Sequence, residues 1–414
     1  MASRDPLDGA RVVLGVTGSI AAYKAVMLAS ALHQAGAIVE VILTREAAEL
    51  VRPLSFQAIT HRPVHQEMFS LLAETEIGHV TLGHQADVVV VAPATAHTLA
   101  RLALGLGDDL LATTVLATRA PLVIAPAMET NMLLHPATQG HLRTLRECGA
   151  VIVEPEAGHL ASGARGVGRL AEPAVILDTV RVVLARRGDL AGWRVVVTAG
   201  GTQEPIDPVR VLTNRSSGKM GFAVAQAARD RGAQVTLIVG ATSVAPPHGV
   251  RVIEAPTART MCEAVLRTIA EADALVMAAA VADYEAAAPA AQKIKKREER
   301  LVLELVPTPD ILGTVAAQRA AGALPERLLV VGFAAESADL LTHAREKLRR
   351  KRLDLIVAND IMAAGSGFGT DTNQVVLLDR SGAERALPLL PKLDVAHALW
   401  DHVLALRQQE VRAR

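Results

Sequence analysis

The chain has 414 residues, half of them hydrophobic and 21% charged, enough to bury sizeable cores in two or three domains of about 100–200 residues. Lys+Arg and Asp+Glu both number 43, so the net charge is zero and the global basic footprint of a nucleic-acid or anionic-membrane binder is absent. Two cysteines, Cys148 and Cys262, exclude a disulfide framework and a four-thiolate zinc site, and no metal ligands are assigned. No apolar run reaches the ~18–20 residues of a membrane span, and the N-terminus lacks a signal-peptide layout. A cytoplasmic protein of at least two domains is expected.

The runs 11–16, 37–43, 87–92, 121–125 and 150–153 read as buried strands, rich in Val and Ile. Helical spacing fills stretches such as 19–35, 138–147 and 174–186 between and after them. Strand–helix alternation with nearly continuous apolar strands predicts a parallel sheet covered on both faces. The polar, Gly-containing run 186–193 reads as a domain join, placing the domains at 1–188 and 189–414. The pattern then restarts, with strands at 193–201, 234–240, 274–281, 328–335 and 353–360. Helices are expected at 218–231, 258–271, 337–350 and 394–408, and a mobile loop over a site at 284–300. Two tandem three-layer α/β domains follow, the first flavodoxin-like or Rossmann-like and the second Rossmann-like. Strand order is not readable.

Lysine is scarce, 8 against 35 arginines. Six of the eight fall at Lys219, at Lys293, Lys295 and Lys296, and at Lys347 and Lys351, all in the second half. A compact ammonium on a flexible stem does work that a planar guanidinium does not replace.

GVTGSIAAYK (15–24) follows the first strand. Gly15 and Gly18 are expected to allow a tight turn, with Ser19 opening a helix whose free N–H groups favour a phosphate. The GxGxxG dinucleotide fingerprint is missing, so a mononucleotide fits better than NAD. Thr44, Pro93 to Ala96 and Ala127 to Met128 sit at the ends of later strands, where open α/β sheets bind ligands.

GVTGSIAAYK, IGHVTL, APATAHTLARLALGLGDDLLATTVLA and the PAM of 126–128 with Met132 resemble the flavin-dependent cysteine decarboxylases, the family that includes phosphopantothenoylcysteine decarboxylase. The resemblance implies FMN held by Gly15, Thr17, Gly18, Ser19, Thr44, Pro93, Thr95, Ala96, Ala127 and Met128, with His79 as the base. A cysteinyl carboxylate leaves as CO₂ only once the thiol is oxidised to a thioaldehyde electron sink, and that hard step belongs to the flavin. Two positions depart from the family. Glu129 stands where its Asn holds the substrate carboxylate; a second carboxylate repels the first unless protonated or turned away, and Asn131 is a candidate substitute. In the flap 160–169, Ser162 replaces a Cys whose thiol donates a proton during reduction of the enethiol intermediate, and a hydroxyl is poorer at this.

Residues 198–221, TAGGTQEPIDPVRVLTNRSSGKMG, are the densest signal in the chain. A P-loop fails, because Thr213 stands where the first Gly is required and Met220 follows Lys219. Ser216, Ser217 and Gly218 instead open a helix toward an anion. This run, with AAAVADY (278–284), KIKK (293–296), PTPDIL (307–312), VGFAAE (331–336) and EKLRRKRLDLIVANDI (346–361), resembles phosphopantothenate–cysteine ligase over essentially the whole second half. In tandem the halves resemble the bacterial bifunctional decarboxylase/ligase family of coenzyme A synthesis. The resemblance implies CTP, Mg²⁺, 4′-phosphopantothenate and cysteine as ligands. It assigns Asn214 to an acyl-cytidylate and Lys293 to the second half-reaction and the nucleotide phosphates. Asp283, Pro307, Thr308, Pro309, Asp310, Phe333, Lys347 and Lys351 fall on CTP-contacting positions, and Arg210, Ser216, Ser217, Gly218 and Lys219 on further substrate positions. It also implies a homo-oligomer combining decarboxylase trimers and ligase dimers. Competing readings are an active ligase with an altered flavin half, a non-catalytic flavoprotein subunit, and a tandem NAD-dependent dehydrogenase. The last is opposed by the missing GxGxxG.

Overall fold

The computed structural model of the protein describes residues 5–68, 78–295, 301–336, 339–360 and 369–413. It divides into two compact units, Met1–Arg186 and Arg187–Arg414.

The strands of the first unit are β1 (Arg11–Val16), β2 (Ile38–Leu43), β3 (Val64–His65), β4 (Val88–Ala94), β5 (Leu122–Pro126), β6 (Val151–Ile152), β7 (Glu156–His159) and β8 (Arg165–Arg169). Its helices are α1 (Ala22–Gln34), α2 (Arg45–Ala48), α3 (Pro53–Thr60), α4 (Gly78–Gln85), α5 (Ala96–Leu104), α6 (Leu110–Ala117), α7 (Thr130–Leu134), α8 (Pro136–Glu147) and α9 (Pro173–Ala185). Six strands form one parallel sheet in the order β3-β2-β1-β4-β5-β6. Because successive strand residues face opposite sides, Val12, Leu14, Val39, Val88 and Val90 pack with Leu28, Leu32, Ile176 and Val180 of α1 and α9. Val13, Ile42, Val89, Val91 and Ile124 pack on the other face with Leu99, Leu111, Leu142 and Leu145. Two apolar faces explain why the strands read as unbroken runs.

The second unit comprises β9 (Arg194–Ala199), β10 (Gln203–Pro205), β11 (Val211–Thr213), β12 (Gln234–Val239), β13 (Arg251–Glu254), β14 (Ala274–Met277), β15 (Tyr284–Ala286), β16 (Leu305–Pro307), β17 (Leu329–Glu336), β18 (Leu355–Asp360), β19 (Thr372–Asn373), β20 (Val375–Asp379), β21 (Glu384–Ala386) and β22 (Leu390–Pro391). Its helices are α10 (Lys219–Arg229), α11 (Ala258–Ile269), α12 (Ile311–Ala320), α13 (Leu340–Arg350) and α14 (Lys392–Ala413). The main sheet runs β13-β12-β9-β14-β17-β18-β20-β21, parallel until the antiparallel β20 and β21 extend its edge. One face buries Val195, Val197, Leu237 and Val331 under α10 and α14. The other buries Val196, Ile238, Leu275 and Ile356 under α11, α12 and α13. Both units are therefore three-layer, doubly wound α/β folds, and in both the strand order reverses beside the first strand.

Two sequence expectations change. Residues 284–300 do not begin as a loop: β15 pairs antiparallel with β16, with Tyr284 opposite Pro307, while 296–300 lie outside the described residues. The helix expected from residue 19 starts at Ala22, after a turn closed by Ala22 N–H donating to the Ser19 carbonyl at 2.8 Å.

Trp400 on α14 is fully buried, and its indole N–H donates to the Val224 carbonyl of α10 at 3.0 Å. Trp400→Ala should destabilise the second unit by about 3–5 kcal/mol, the usual cost of emptying a large aromatic site. Denaturant unfolding of the two proteins measures this; a loss under about 1 kcal/mol would mean that the α10–α14 contact is not a core contact.

Candidate functional sites

In the first unit a cavity of about 420 Å³ lies where the strand order reverses. Gly18 and Ser19 line it from the β1–α1 turn, Thr95 from the turn after β4, and Ala127, Met128 and Glu129 from the turn after β5. The β7–β8 hairpin closes it with His159, Ser162, Gly168 and Arg169.

The glycines act through close approach rather than turn geometry. A Cβ on Gly18 would stand 2.5 Å from Cβ of Glu46, and one on Gly15 would stand 2.4 Å from Leu111 Cδ1. Gly168 is the tightest: its φ is +151°, and a Cβ there would fall 2.1 Å from the Met128 carbonyl oxygen. The Met128 N–H donates to the Gly168 carbonyl at 3.0 Å, and Thr130 Oγ1 donates to Val167 O at 2.9 Å. The flap is thus docked on the turn after β5.

Of the expected flavin contacts, Gly15, Thr17, Thr44, Pro93 and Ala96 do not line the cavity. Thr17 is buried; it donates to the Pro93 carbonyl at 2.7 Å and accepts from Thr95 N–H at 3.1 Å, joining two cavity turns from behind. Thr44 caps α2 by accepting from Ala47 N–H. Glu129 caps α7: its carboxylate accepts from the N–H groups of Asn131 and Met132 at 2.6 and 3.4 Å, so it is turned onto its own helix start. Asn131 is exposed, donates its amide to Glu129 at 3.4 Å, and does not line the cavity. His79 begins α4; its Nδ1 is buried without a partner, and it does not line this cavity.

Lys24, given no role from sequence, does line it. It is 8% exposed and donates to Glu172 at 2.7 Å and to the Leu170 carbonyl at 3.3 Å. The hydrogen bond from Lys24 holds the Glu172 carboxyl below the usual carboxylate range.

In the second unit a cleft of about 830 Å³ occupies the corresponding position. It gathers Asn214, Ser216, Ser217 and Gly218 before α10, Lys219 at its start, Asp283 after β14, and Thr308, Pro309 and Asp310 before α12. Phe333, Lys347 and Lys351 complete the expected set, while Pro307 ends β16 outside it. Gly218 precedes α10 with φ +81° and no side-chain cap, leaving the helix start open to an anion. Asn214 donates its amide to the Val281 carbonyl at 3.0 Å, bridging the turns after β11 and β14.

The cations are held by partners. Lys219 donates to Asp371 at 2.7 Å and to the Gly369 carbonyl at 3.0 Å, and its bond holds Asp371 below the carboxylate range. Lys347 donates to the Phe333 carbonyl at 2.8 Å. Lys351 pairs with Asp310, whose carboxyl burial pushes up but the bonds from Lys351 and Gly313 bring below its ordinary value. Lys392, a buried cation that sequence reasoning passed over, lines the cleft and donates to Thr370 and Thr372. Burial, then the charge of Lys219, pushes its ammonium down.

Lys293 and Arg210 are not brought into the cleft. Lys293 is exposed, and the next peptide is gripped from both sides: Ile294 N–H donates to Asp207 at 3.1 Å, and Arg210 donates to Ile294 O at 3.1 Å. Lys296 lies outside the described residues.

The two doubly wound units, each with a crevice at its strand reversal, define a tandem α/β protein with a mononucleotide-sized site followed by a cationic one. Residues 1–185 match the family model "Flavoprotein", and residues 190–406 match "DNA/pantothenate metabolism flavoprotein C-terminal domain". The coenzyme A biosynthesis bifunctional protein CoaBC of Bacillus subtilis is 43% identical over 97% of this chain and 98% of its own length. Its namesake from Mycobacterium tuberculosis H37Rv is 46% identical over 95% and 96%. The crystal structure of a C-terminal domain of such a protein covers 53% of this chain and 97% of its own, with 36% identity and a TM-score of 0.45. The chain belongs to the family of coenzyme A biosynthesis bifunctional proteins.

Gly168→Ala should detach the flap, because neither the Met128 carbonyl nor the backbone of residue 168 has room to yield. Limited trypsin digestion should cut at Arg165 and Arg169 at least about tenfold faster than in the parent. Unchanged protection there would mean that the hairpin is held by other contacts.

Proposed function

We propose that the second unit joins cysteine to 4′-phosphopantothenate at the expense of CTP, and that the first unit decarboxylates the resulting phosphopantothenoylcysteine to 4′-phosphopantetheine. The observation that carries this reading is that the similarity to bifunctional relatives runs through both halves, each with its own cleft.

A carboxylate becomes an acyl donor once it displaces pyrophosphate from CTP, forming an acyl-cytidylate. The transition state is a crowded polyanion that is stabilised by positioned positive charge rather than by covalent chemistry. The open start of α10 and Lys219, Lys347, Lys351 and Lys392 supply that environment. Asn214, fixed by its bond to Val281, orients the acyl-nucleotide. Lys293 acts from its gripped loop in the second half-reaction, when cysteine's amine displaces CMP. Mg²⁺ would be held mainly through substrate phosphates, which suits its preference for retained waters and few protein ligands.

In the first unit the turns bearing Gly18, Ser19, Thr95, Ala127 and Met128 would hold FMN; the near-contact of Gly18 with Glu46 leaves that turn without a side chain in the way. When bound, the flavin supplies reversible removal of a hydride from the carbon bearing the thiol. On the family resemblance His79, whose Nδ1 is buried without a partner, would take the thiol proton, although within a single chain it stands outside this cavity. The flap excludes water over the reacting cysteine. The family resemblance implies a homo-oligomer of decarboxylase trimers and ligase dimers, and Tyr23 and Met27 on α1, 58% and 57% exposed, offer the first unit apolar surface for such contacts. The described residues contain no helix long and apolar enough to cross a membrane, and we place the reactions in the cytoplasm.

His79→Asn should abolish CO₂ release and leave CTP-dependent amide formation within about twofold. Loss of both in a folded protein would count against two separate sites. Lys293→Gln should lower amide formation by about 100-fold, the scale of one positioned charge in a transition state. Lys295→Gln should change it by less than about threefold; equal losses would show that the loop acts through bulk charge.

A further inference from the structure

We propose that His159, on the flap, is the proton donor that completes the flavin-side reaction in this chain. The inference rests on the decarboxylase reading above. It starts from a chemical gap: Ser162 occupies the flap position from which relatives of that type donate a proton through a thiol, and a hydroxyl is a far weaker acid.

Decarboxylation leaves an enethiol, a carbon–carbon double bond ending at sulfur. Reaching the saturated thiol takes two additions. A proton adds to the carbon that lost CO₂, converting the enethiol to a thioaldehyde. The bound flavin would then return the hydride to the carbon bearing sulfur and be re-oxidised, giving the thiolate product. The proton must come from a group that carries one at neutral pH and can release it. Ammonium, guanidinium, phenol, carboxylate and imidazole all face this cavity.

Four of the five are committed elsewhere or stand off the flap. Lys24 donates to Glu172 at 2.7 Å and to the Leu170 carbonyl at 3.3 Å. Arg169 pairs with Glu172 at 3.4 Å, and a guanidinium does not deprotonate in proteins. Tyr23 stands on α1 rather than on the flap that carries Ser162. Glu129 is turned onto the start of α7, where its carboxylate accepts two backbone N–H bonds.

His159 remains. It ends β7, three residues before Ser162, and both line the cavity. Its partner across the hairpin is Arg165, and the side chain is exposed, so an imidazole that gives its proton to the substrate recovers one from water. Imidazole is the side chain whose ordinary titration spans pH 5 to 8, which suits it to donate and be recharged in every turnover.

The test uses the flavin-loaded protein, phosphopantothenoylcysteine, and the variants His159→Gln, Ser162→Cys and the two combined. In a single turnover with enzyme in excess of substrate, so that no outside oxidant of the flavin is needed, His159→Gln should release CO₂ within about twofold of the parent while forming saturated thiol about 100-fold more slowly, the scale of general-acid catalysis. Mass spectrometry should show the enethiol, lighter by two hydrogens, in its place. Adding Ser162→Cys to His159→Gln should restore the saturated product, because a thiol then stands beside the vacancy in proton supply. A readout independent of turnover is histidine NMR of the flavin-free protein: the His159 ring signals should shift on adding 4′-phosphopantetheine. Undiminished saturated product in His159→Gln would overturn the proposal and leave Glu129 or water as donor. A loss that Ser162→Cys does not rescue would also overturn it, assigning His159 to flap structure. Absence of CO₂ release from the parent protein would instead remove the decarboxylase reading on which the proposal stands.

Discussion

Both sites depend on backbone segments meeting more closely than side chains allow. A parallel sheet whose order reverses beside its first strand leaves adjacent turns diverging at that point, and a crevice opens between them. The crevice stays the right shape only if the turns that flank it press against their neighbours. In the first unit Gly18 lies against Glu46 and Gly168 against the Met128 carbonyl; in the second, Gly218 lies against Thr242 and Gly240 against the Gly201 carbonyl. At each of these a methyl group would come within 2.6 Å of another atom, closer than real contacts permit. The hydroxyl of Thr17, bonded to both Pro93 and Thr95, does the complementary work of pulling two turns together.

The second cleft shows how a polyanion site holds its charge before a polyanion arrives. Lys219 and Lys351 sit on carboxylates, Asp371 and Asp310, while Lys347 and Lys392 sit on backbone carbonyls. Each contact offsets part of the cost of keeping an ammonium away from bulk water. On the proposed reading, an incoming triphosphate would compete with Asp371 and Asp310 for Lys219 and Lys351. Burial disfavours the charged form of Lys392, so a new anionic partner there would favour it.

The sequence made the central strands legible because two-sided burial demands unbroken Val and Ile, as in VVVV of β4 and RVVV of β9. It concealed β3, β19 and β22, each two residues long, and the hairpins β10–β11 and β15–β16, too short to show alternation. The flap strands EAGH and RGVGR carry no strand-forming pattern at all; their pairing is set by docking on Met128 and Thr130, a tertiary effect. Most of the cleft residues after β9 and β14 were readable because the chemistry and the strand ends coincide there. Neither Lys293 nor Arg210 lines the cleft in this structure, and Arg210 bonds Asp207, a partner that spacing along the chain does not reveal.

Lysine marks both cavities. Besides the three groups in the second half, Lys24 and Lys392 each line one of the two cavities and are at most 8% exposed. In a chain that uses arginine for its exposed pairs, such as Arg194 with Glu271 and Arg146 with Glu154, a buried lysine is the exception. The physical reason is size and shape: an ammonium reaches a carbonyl through a gap that a planar fork with five donors cannot enter without leaving some unsatisfied. Lys24 meets this condition with one carboxylate and one carbonyl, Leu170 O, and Lys392 with the carbonyls of Thr370 and Thr372. The interior is not closed to guanidinium, since Arg229 and Arg231 are buried with carboxylate partners; at Lys24 and Lys392 it is the narrower ammonium that reaches the backbone carbonyls.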